Sequence, residues 1–228
     1  MMSKDENEII WDAIADSFDK TRKKPWGICL RFIESLPSDA TIVDLGCGNG
    51  RHLIPCSDHF REVVGLDISR NLLRIVKWKT KGKNNIHLIH GDLRKLPFKN
   101  DVFDAALYVA SLHNIKGRDN RIKTLKEMHR ILKENGKGLI SVWSRWQDKY
   151  RKKFLKKIFI RKKGEEFGDI IIYWRQNGFN IPRFYHLYSK RELLVDVEEA
   201  GFKVDKILSI KIVSKNYPDN YFVYVRKT

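Results

Sequence analysis

The segment Val43-Asp44-Leu45-Gly46-Cys47-Gly48-Asn49-Gly50 constrains the fold more than any other part of this chain. A short apolar run, Ala40 to Leu45, meets three glycines at alternate positions, with an acid set just before the first. Glycines let a backbone turn sharply and approach a ligand closely. The pattern therefore predicts a buried strand that runs into a tight, ligand-receiving turn and then a helix. A dinucleotide fingerprint would need a third glycine where Arg51 stands. A phosphate loop is excluded because no Gly-Lys-Ser/Thr follows.

Similar apolar runs recur along the chain. Val63 to Asp67, Ile86 to His90, Val102 to Val109 and Gly138 to Val142 read as strands. Helical patterns occupy Asn7 to Phe18, a second helix through Ile33 with Pro25 in its first turn, Ser69 to Lys79, and Arg118 to Leu132 stopped by Asn135-Gly136. Apolar strands alternating with helices predict an α/β fold, a doubly wound, mostly parallel seven-stranded sheet covered on both faces. After Trp146 the alternation breaks. Residues 149–163 hold nine basic side chains around a stripe of Phe154, Leu155, Ile158 and Phe159, and Asp169 to Trp174 reads as a short strand. Ser189-Lys190-Arg191-Glu192 is a capping box that opens a helix through Ala200, closed by Gly201. Strands near Lys203 to Val213 and Tyr221 to Arg226 finish the chain. The expected organisation is one domain, 1–228, with a basic insertion at 146–185.

The 228 residues carry 45 Lys and Arg against 28 Asp and Glu, a formal charge of +17, which favours a polyanionic partner such as nucleic acid. With 42 % hydrophobic residues the chain can fill a core, which excludes wholesale disorder. No long apolar segment predicts a membrane span, and the polar start has no signal-peptide core. Three cysteines without a Cys-x-x-Cys pair argue against a disulfide scaffold or structural zinc and for a reducing, cytoplasmic setting.

Asp44-x-Gly46-x-Gly48-x-Gly50 resembles the first motif of the class I S-adenosylmethionine-dependent methyltransferases. Asp67 with Ile68 at the second strand end, and Asp92 with Leu93 at the third, match that family in order and interval. The resemblance implies S-adenosylmethionine as cofactor, bound by Asp44, Gly46, Gly48, Gly50, Asp67, Ile68, Asp92 and Leu93. The methionine carboxylate suits the amides of the glycine turn and the helix start that follows.

The flanks are similar to one branch, the tRNA wobble-uridine 5-carboxymethyl methyltransferases. The matching segments are Trp11-Asp12-Ala13-Ile14-Ala15, Phe18 to Arg22, Lys24-Pro25-Trp26, Gly48 to Leu53, Val142-Trp143 and Arg183 to Tyr188. That family pairs histidines after the fourth strand; here His113 keeps its place and Asn114 replaces the second. The resemblance implies methyl esterification of the carboxylate of 5-carboxymethyluridine in tRNA, and a small zinc-binding activator as partner. An exposed apolar strip near the fifth strand is the expected docking face for that activator. Since a carboxylate is already ionised, no general base is needed. Arg22, His113 and Arg183 are the candidates that steer it, without a metal. Trp143 and Tyr185 are candidates to stack on the base, and Lys152, Lys153, Lys156 and Lys157 to contact phosphates, with a solvated amphipathic helix as their plain alternative. The competing functions are methylation of a small carboxylate or quinone precursor, and a non-catalytic RNA-binding module on the same fold.

Overall fold

The structure, a computed structural model, describes residues 6–157 and 164–228. Its elements follow in chain order: α1 (Glu6–Thr21), α2 (Gly27–Glu34), β1 (Ile42–Leu45), α3 (Leu53–His59), β2 (Val63–Asp67), α4 (Arg70–Lys79), β3 (Ile86–His90) and β4 (Phe103–Val109). Then come α5 (Arg118–Ile131), β5 (Leu132–Trp143), α6 (Arg151–Lys157), β6 (Asp169–Trp174), β7 (Ile181–His186), α7 (Lys190–Glu199), β8 (Phe202–Ile210) and β9 (Asn220–Lys227). Seven strands form one sheet in the order β3-β2-β1-β4-β5-β9-β8, and only β9 runs antiparallel to its neighbours. The expected doubly wound, mostly parallel α/β sheet is the observed one.

All four residues of β1 are buried because both faces of the sheet are covered. Val43 and Leu45 pack with Leu125 and Met128 of α5 and Leu193 of α7, while Ile42 packs with Phe32 of α2, Cys56 of α3 and Val76 of α4. Burial on two faces is why the run is continuously apolar rather than alternating. Ser69 caps α4 by accepting the Leu72 amide, and the capping box at Ser189 and Glu192 is complete.

Three local expectations are corrected. Helix α2 begins at Gly27 with Trp26 at its cap position, so Pro25 precedes the first turn. Helix α5 ends at Ile131 and the chain enters β5 at once. Asn135-Gly136 lies inside a register shift between the pairs Phe103↔Leu132 and Ala105↔Lys137, with Asn135 at φ 62°. Pairing with β4 ends the helix, and the Asn-Gly step absorbs the extra residues in the strand. The fifth strand lies between β4 and β9, and the sheet edges are β3 and β8. The insertion contains a second strand, β7, which pairs with β6 as a separate two-stranded hairpin. Of the apolar stripe at 149–163, Phe154 is buried and Leu155 exposed, and Ile158 and Phe159 lie outside the described residues.

Candidate active site

Between β1 and β4 the strand order reverses, since the chain leaves β1 toward β2 and leaves β4 toward β5. The turns beyond the carboxyl ends of these strands diverge, as they must at such a switch point. They open a cavity of about 470 Å³, a volume typical of small-molecule sites. Helix α1 closes one side of it and the β6–β7 hairpin another.

The glycine turn forms the floor. Gly46 at φ 74° and Gly48 at φ 56° sit in the left-handed region that side chains disfavour. A Cβ on Gly46 would also collide with Ser111, which belongs to the turn leaving β4. Asp67 braces this turn, accepting the amides of Gly48 and Ser69 at 2.8 Å each. Burial raises the Asp67 pKa, and those two amides oppose it. Partial burial also works against ionisation of Asp92, but Arg94 overcomes it, with Nε and Nη2 2.8 and 2.6 Å from Oδ2, and holds the pKa down.

A cationic side faces these acids. Arg22 follows α1, Arg51 follows the glycine turn, and Arg183 stands on β7; all three line the cavity. Among the described residues none of the three is ion-paired to a carboxylate. Arg183 is 6 % exposed, its Nε has no hydrogen-bond partner, and its guanidinium lies 5.4, 4.8 and 5.0 Å from the rings of Trp11, Trp174 and Tyr185. Arg51 stacks 4.4 Å over Trp26. Burial first, then the like charge of Arg22, brings its pKa down to about 10. Burial likewise lowers Arg183, and Arg22 adds to that shift. The charge of Arg22 thus reaches both of the other two.

His113 completes the wall. Its Nδ1 accepts the Trp143 amide at 3.1 Å. Burial, reinforced by Arg183 and His186, takes its pKa down to about 3, so the ring is neutral at physiological pH. With Nδ1 accepting, Nε2 carries the proton and can donate. The Trp143 and Tyr185 rings stack at 5.0 Å and 15°, and His113 lies 5.4 and 5.3 Å from them.

The cavity brings together Arg22, His113, Arg183, Gly46, Gly48, Asp67, Ile68, Asp92, Leu93, Trp143 and Tyr185. Three groups of expected residues stand elsewhere. Asp44 is 2 % exposed and lies beneath the turn rather than on the cavity wall, with Oδ2 unpartnered. Burial and then the charge of Asp67 push its pKa up to about 7, against the pull of Arg51. Gly50 is turned away, so that a Cβ there would meet Val76 of α4. Lys152, Lys153, Lys156 and Lys157 belong to α6, outside the cavity, and Lys157 is held by the Asp169 carbonyl at 2.6 Å and by Glu165. As a base platform Tyr185 is constrained, because it is 2 % exposed and stacked between protein rings.

Arg51 and Asn49 are site residues that sequence reasoning passed over, although both belong to the glycine motif. Asn49 is 1 % exposed and donates to Asp19 Oδ1 at 2.7 Å and to the Arg22 carbonyl at 2.8 Å. It ties the turn to the end of α1 and to Arg22 just beyond it. On the hairpin side, Trp174 Nε1 donates to Ser17 Oγ of α1 at 2.9 Å. At the foot of the hairpin, Glu166, Asp169 and His186 offer three possible metal ligands within 4.8 Å. Arg121, however, takes both Glu166 oxygens, and His186 is hydrogen-bonded to Asp169 and Glu192 through both ring nitrogens. That group is a strap holding β7, and with it Arg183, in place.

Comparison with known proteins agrees with this geometry. Residues 43–140 match the family model described as a methyltransferase domain. A protein of Encephalitozoon cuniculi named only as a methyltransferase is 35 % identical over 196 residues, covering 85 % of each chain. The tRNA (carboxymethyluridine(34)-5-O)-methyltransferase of Schizosaccharomyces pombe is 31 % identical over 219 residues, 86 % of this chain and 89 % of that one. Among solved structures, an S-adenosylmethionine-dependent methyltransferase of Methanosarcina mazei superposes with a TM-score of 0.74 at 21 % identity, over 90 % of this chain and 98 % of that one. At that identity the last match speaks for the fold alone.

Proposed function

The chain belongs to the S-adenosylmethionine-dependent methyltransferases, and from that premise we propose that it esterifies the carboxylate of 5-carboxymethyluridine at the wobble position of tRNA. The observation that carries this reading is the trio of cavity arginines, Arg22, Arg51 and Arg183, buried or half-buried without a carboxylate partner among the described residues. An uncompensated buried cation is costly, so three together point to anionic ligands. The likeness to the fission-yeast tRNA enzyme across most of both chains supports the substrate.

The residues fit the cofactor. The left-handed glycine turn, Asp67 and Asp92 form one half of the cavity, suited to its backbone-bound carboxylate, ribose and adenine. When bound, S-adenosylmethionine supplies an electrophilic methyl group on a sulfonium cation. Two carboxylates then meet three arginines. Arg51, adjoining the glycine turn, suits the methionine carboxylate, and Arg183, on β7, suits the substrate; the charge of Arg22 reaches both. His113 Nε2–H adds a neutral donor that orients a carboxylate without competing for its charge. A carboxylate needs no base at neutral pH, which agrees with a site whose histidine stays neutral. The task left to the protein is in-line alignment at about 3 Å. Esterification removes the substrate's charge, so the arginines lose their hold on the product and favour its release.

A small zinc-binding activator as partner belongs to the same proposal. The test is incubation of tRNA bearing 5-carboxymethyluridine with labelled cofactor, with and without the activator, followed by nucleoside mass analysis. A labelled wobble nucleoside that mild alkali converts back to the acid supports the reading. Label confined to small carboxylic acids or quinone precursors refutes it.

A further inference from the structure

The loop between β8 and β9 is organised around two carboxylates. Asp219 Oδ2 accepts the amides of Ile212, Val213 and Ser214 at 2.6, 2.7 and 2.9 Å, and Oδ1 accepts the Ser214 hydroxyl at 2.6 Å. Asp148, in the segment leading into α6, accepts the amides of Lys215, Asn216 and Tyr217 at 2.9, 3.1 and 3.2 Å. These two acids take six successive N–H groups; Asp219 is buried, whereas Asp148 is half-exposed and also feels the nearby Arg151. Asp148 also fastens the loop to the start of α6, so the two form one surface.

What that surface presents is cationic. Lys211 and Lys215 are exposed on the loop, and Lys149, Lys152 and Lys153 on the neighbouring segment. Arg151 lies 4.0 Å over the ring of Tyr217, and Lys149 5.3 Å over Tyr150. Among the described residues none of these six cations makes an ion pair. At the loop tip Val213 is 87 % exposed, next to Ile212 at 45 %. The position is also informative. Asn220, which opens β9, pairs with Trp143 at the carboxyl end of β5, so the loop stands at the end of the sheet where the cavity opens.

We propose that this loop and the start of α6 form the docking face for the phosphate backbone of the RNA substrate, outside the methyl-transfer cavity. The inference rests on the tRNA reading above and extends it beyond the α6 lysines to Lys211, Lys215, Arg151 and Tyr217. Because the loop amides are consumed internally, phosphate contact must come from side chains, which makes the binding sequence-tolerant and salt-dependent. A rigid loop loses little conformational entropy on docking. Two apolar side chains at a tip can pack on a ribose or base face, whereas lying in a membrane interface calls for a whole apolar helix face.

The experiment measures binding of a fluorescent tRNA transcript across a salt series. The K211E/K215E variant should bind roughly ten-fold more weakly, with a log–log salt slope shallower by roughly 1.5–2, at unchanged calorimetric affinity for S-adenosylmethionine. The control is K77E/K81E, on exposed lysines at the far end of the sheet, which should stay near wild type. An unchanged affinity and slope for K211E/K215E overturns the docking face, as does an equal loss in the control, which would report net charge only. Wild-type binding to phosphatidylserine vesicles that K211E/K215E abolishes, with RNA affinity retained, assigns the surface to a membrane instead and also overturns it. Failure of the wild-type protein to bind tRNA at all sinks the tRNA reading itself.

Discussion

Replacing Arg183 with methionine separates a structural cation from a substrate-binding one. The guanidinium is buried, its Nε is unpartnered, and it lies 4.8–5.4 Å from three aromatic rings. In the free protein two effects oppose each other. Removing an unsatisfied buried group relieves about 1–3 kcal/mol, while each lost cation–π contact costs about 0.5–2 kcal/mol. The three contacts together cost about 1.5–6 kcal/mol, so R183M should fall between about 1.5 kcal/mol more stable and about 5 kcal/mol less stable than wild type. The substrate complex behaves differently, because losing one partner of a buried charge pair costs about 2–5 kcal/mol. That converts to a fall in kcat/KM for tRNA of roughly thirty-fold to several-thousand-fold. Arg183→Lys should recover only part of this, since an ammonium cannot reproduce the planar fork. The assays are methyl transfer into tRNA below KM, calorimetry with S-adenosylmethionine, and a urea midpoint. A kcat/KM within about three-fold of wild type at unchanged cofactor affinity would falsify the placement of Arg183 at the substrate carboxylate. An equal loss of cofactor affinity would move Arg183 to the cofactor instead.

Other outcomes follow from the same geometry. Asp44, with its pKa raised from 3.8 to about 7, binds a proton more tightly folded than unfolded; its contribution to stability is complete below about pH 4 and lost as pH rises through about 7. The shift of roughly three pKa units amounts to about 4 kcal/mol. The stability difference between wild type and Asp44→Asn in urea should therefore vary by up to that amount between pH 4 and 8, and a constant difference would contradict the burial argument. Asn49→Ala removes the bonds to Asp19 and to the Arg22 carbonyl. It should raise KM for tRNA more than it lowers kcat, with Asn49→Asp, which cannot donate, behaving alike; a pure stability loss at unchanged KM argues against a positioning role. His113 remains neutral above its pKa of about 3, so the pH–rate profile should show no step near pH 6.5 that His113→Asn removes.

Much of the cavity half proposed for the cofactor was legible in the sequence because its residues sit at strand ends. Gly46, Gly48, Asp67 and Asp92 each follow an apolar run directly, and a parallel sheet delivers such ends to one edge. The hairpin was half visible. Asn177 and Gly178 have φ of 51° and 79°, the left-handed pair that an Asn-Gly turn between apolar strands announces, yet β7 was overlooked. Asn135-Gly136 carries the same dipeptide and misled in the other direction, as a helix stop, because a local pattern cannot tell whether a turn ends a helix or bulges a strand. Arg51 was in plain view within the motif, but its burial against Trp26 depends on a residue 25 positions earlier.

The sequence alone determined the parallel α/β sheet, the glycine turn and the acids at its strand ends, since each is a local pattern with a local cause. The +17 charge, by contrast, could be read only as a total. Tertiary structure divided it into three arginines around a cavity, without an ion-paired carboxylate among the described residues, the four expected lysines on α6, and a loop whose six amides are held by Asp148 and Asp219. It also moved Asp44 from the cavity wall to a buried place beneath the turn. The reason is physical: whether a charge is paired, buried or presented depends on neighbours that are far away in the chain and meet only when the sheet, α1 and the hairpin pack together.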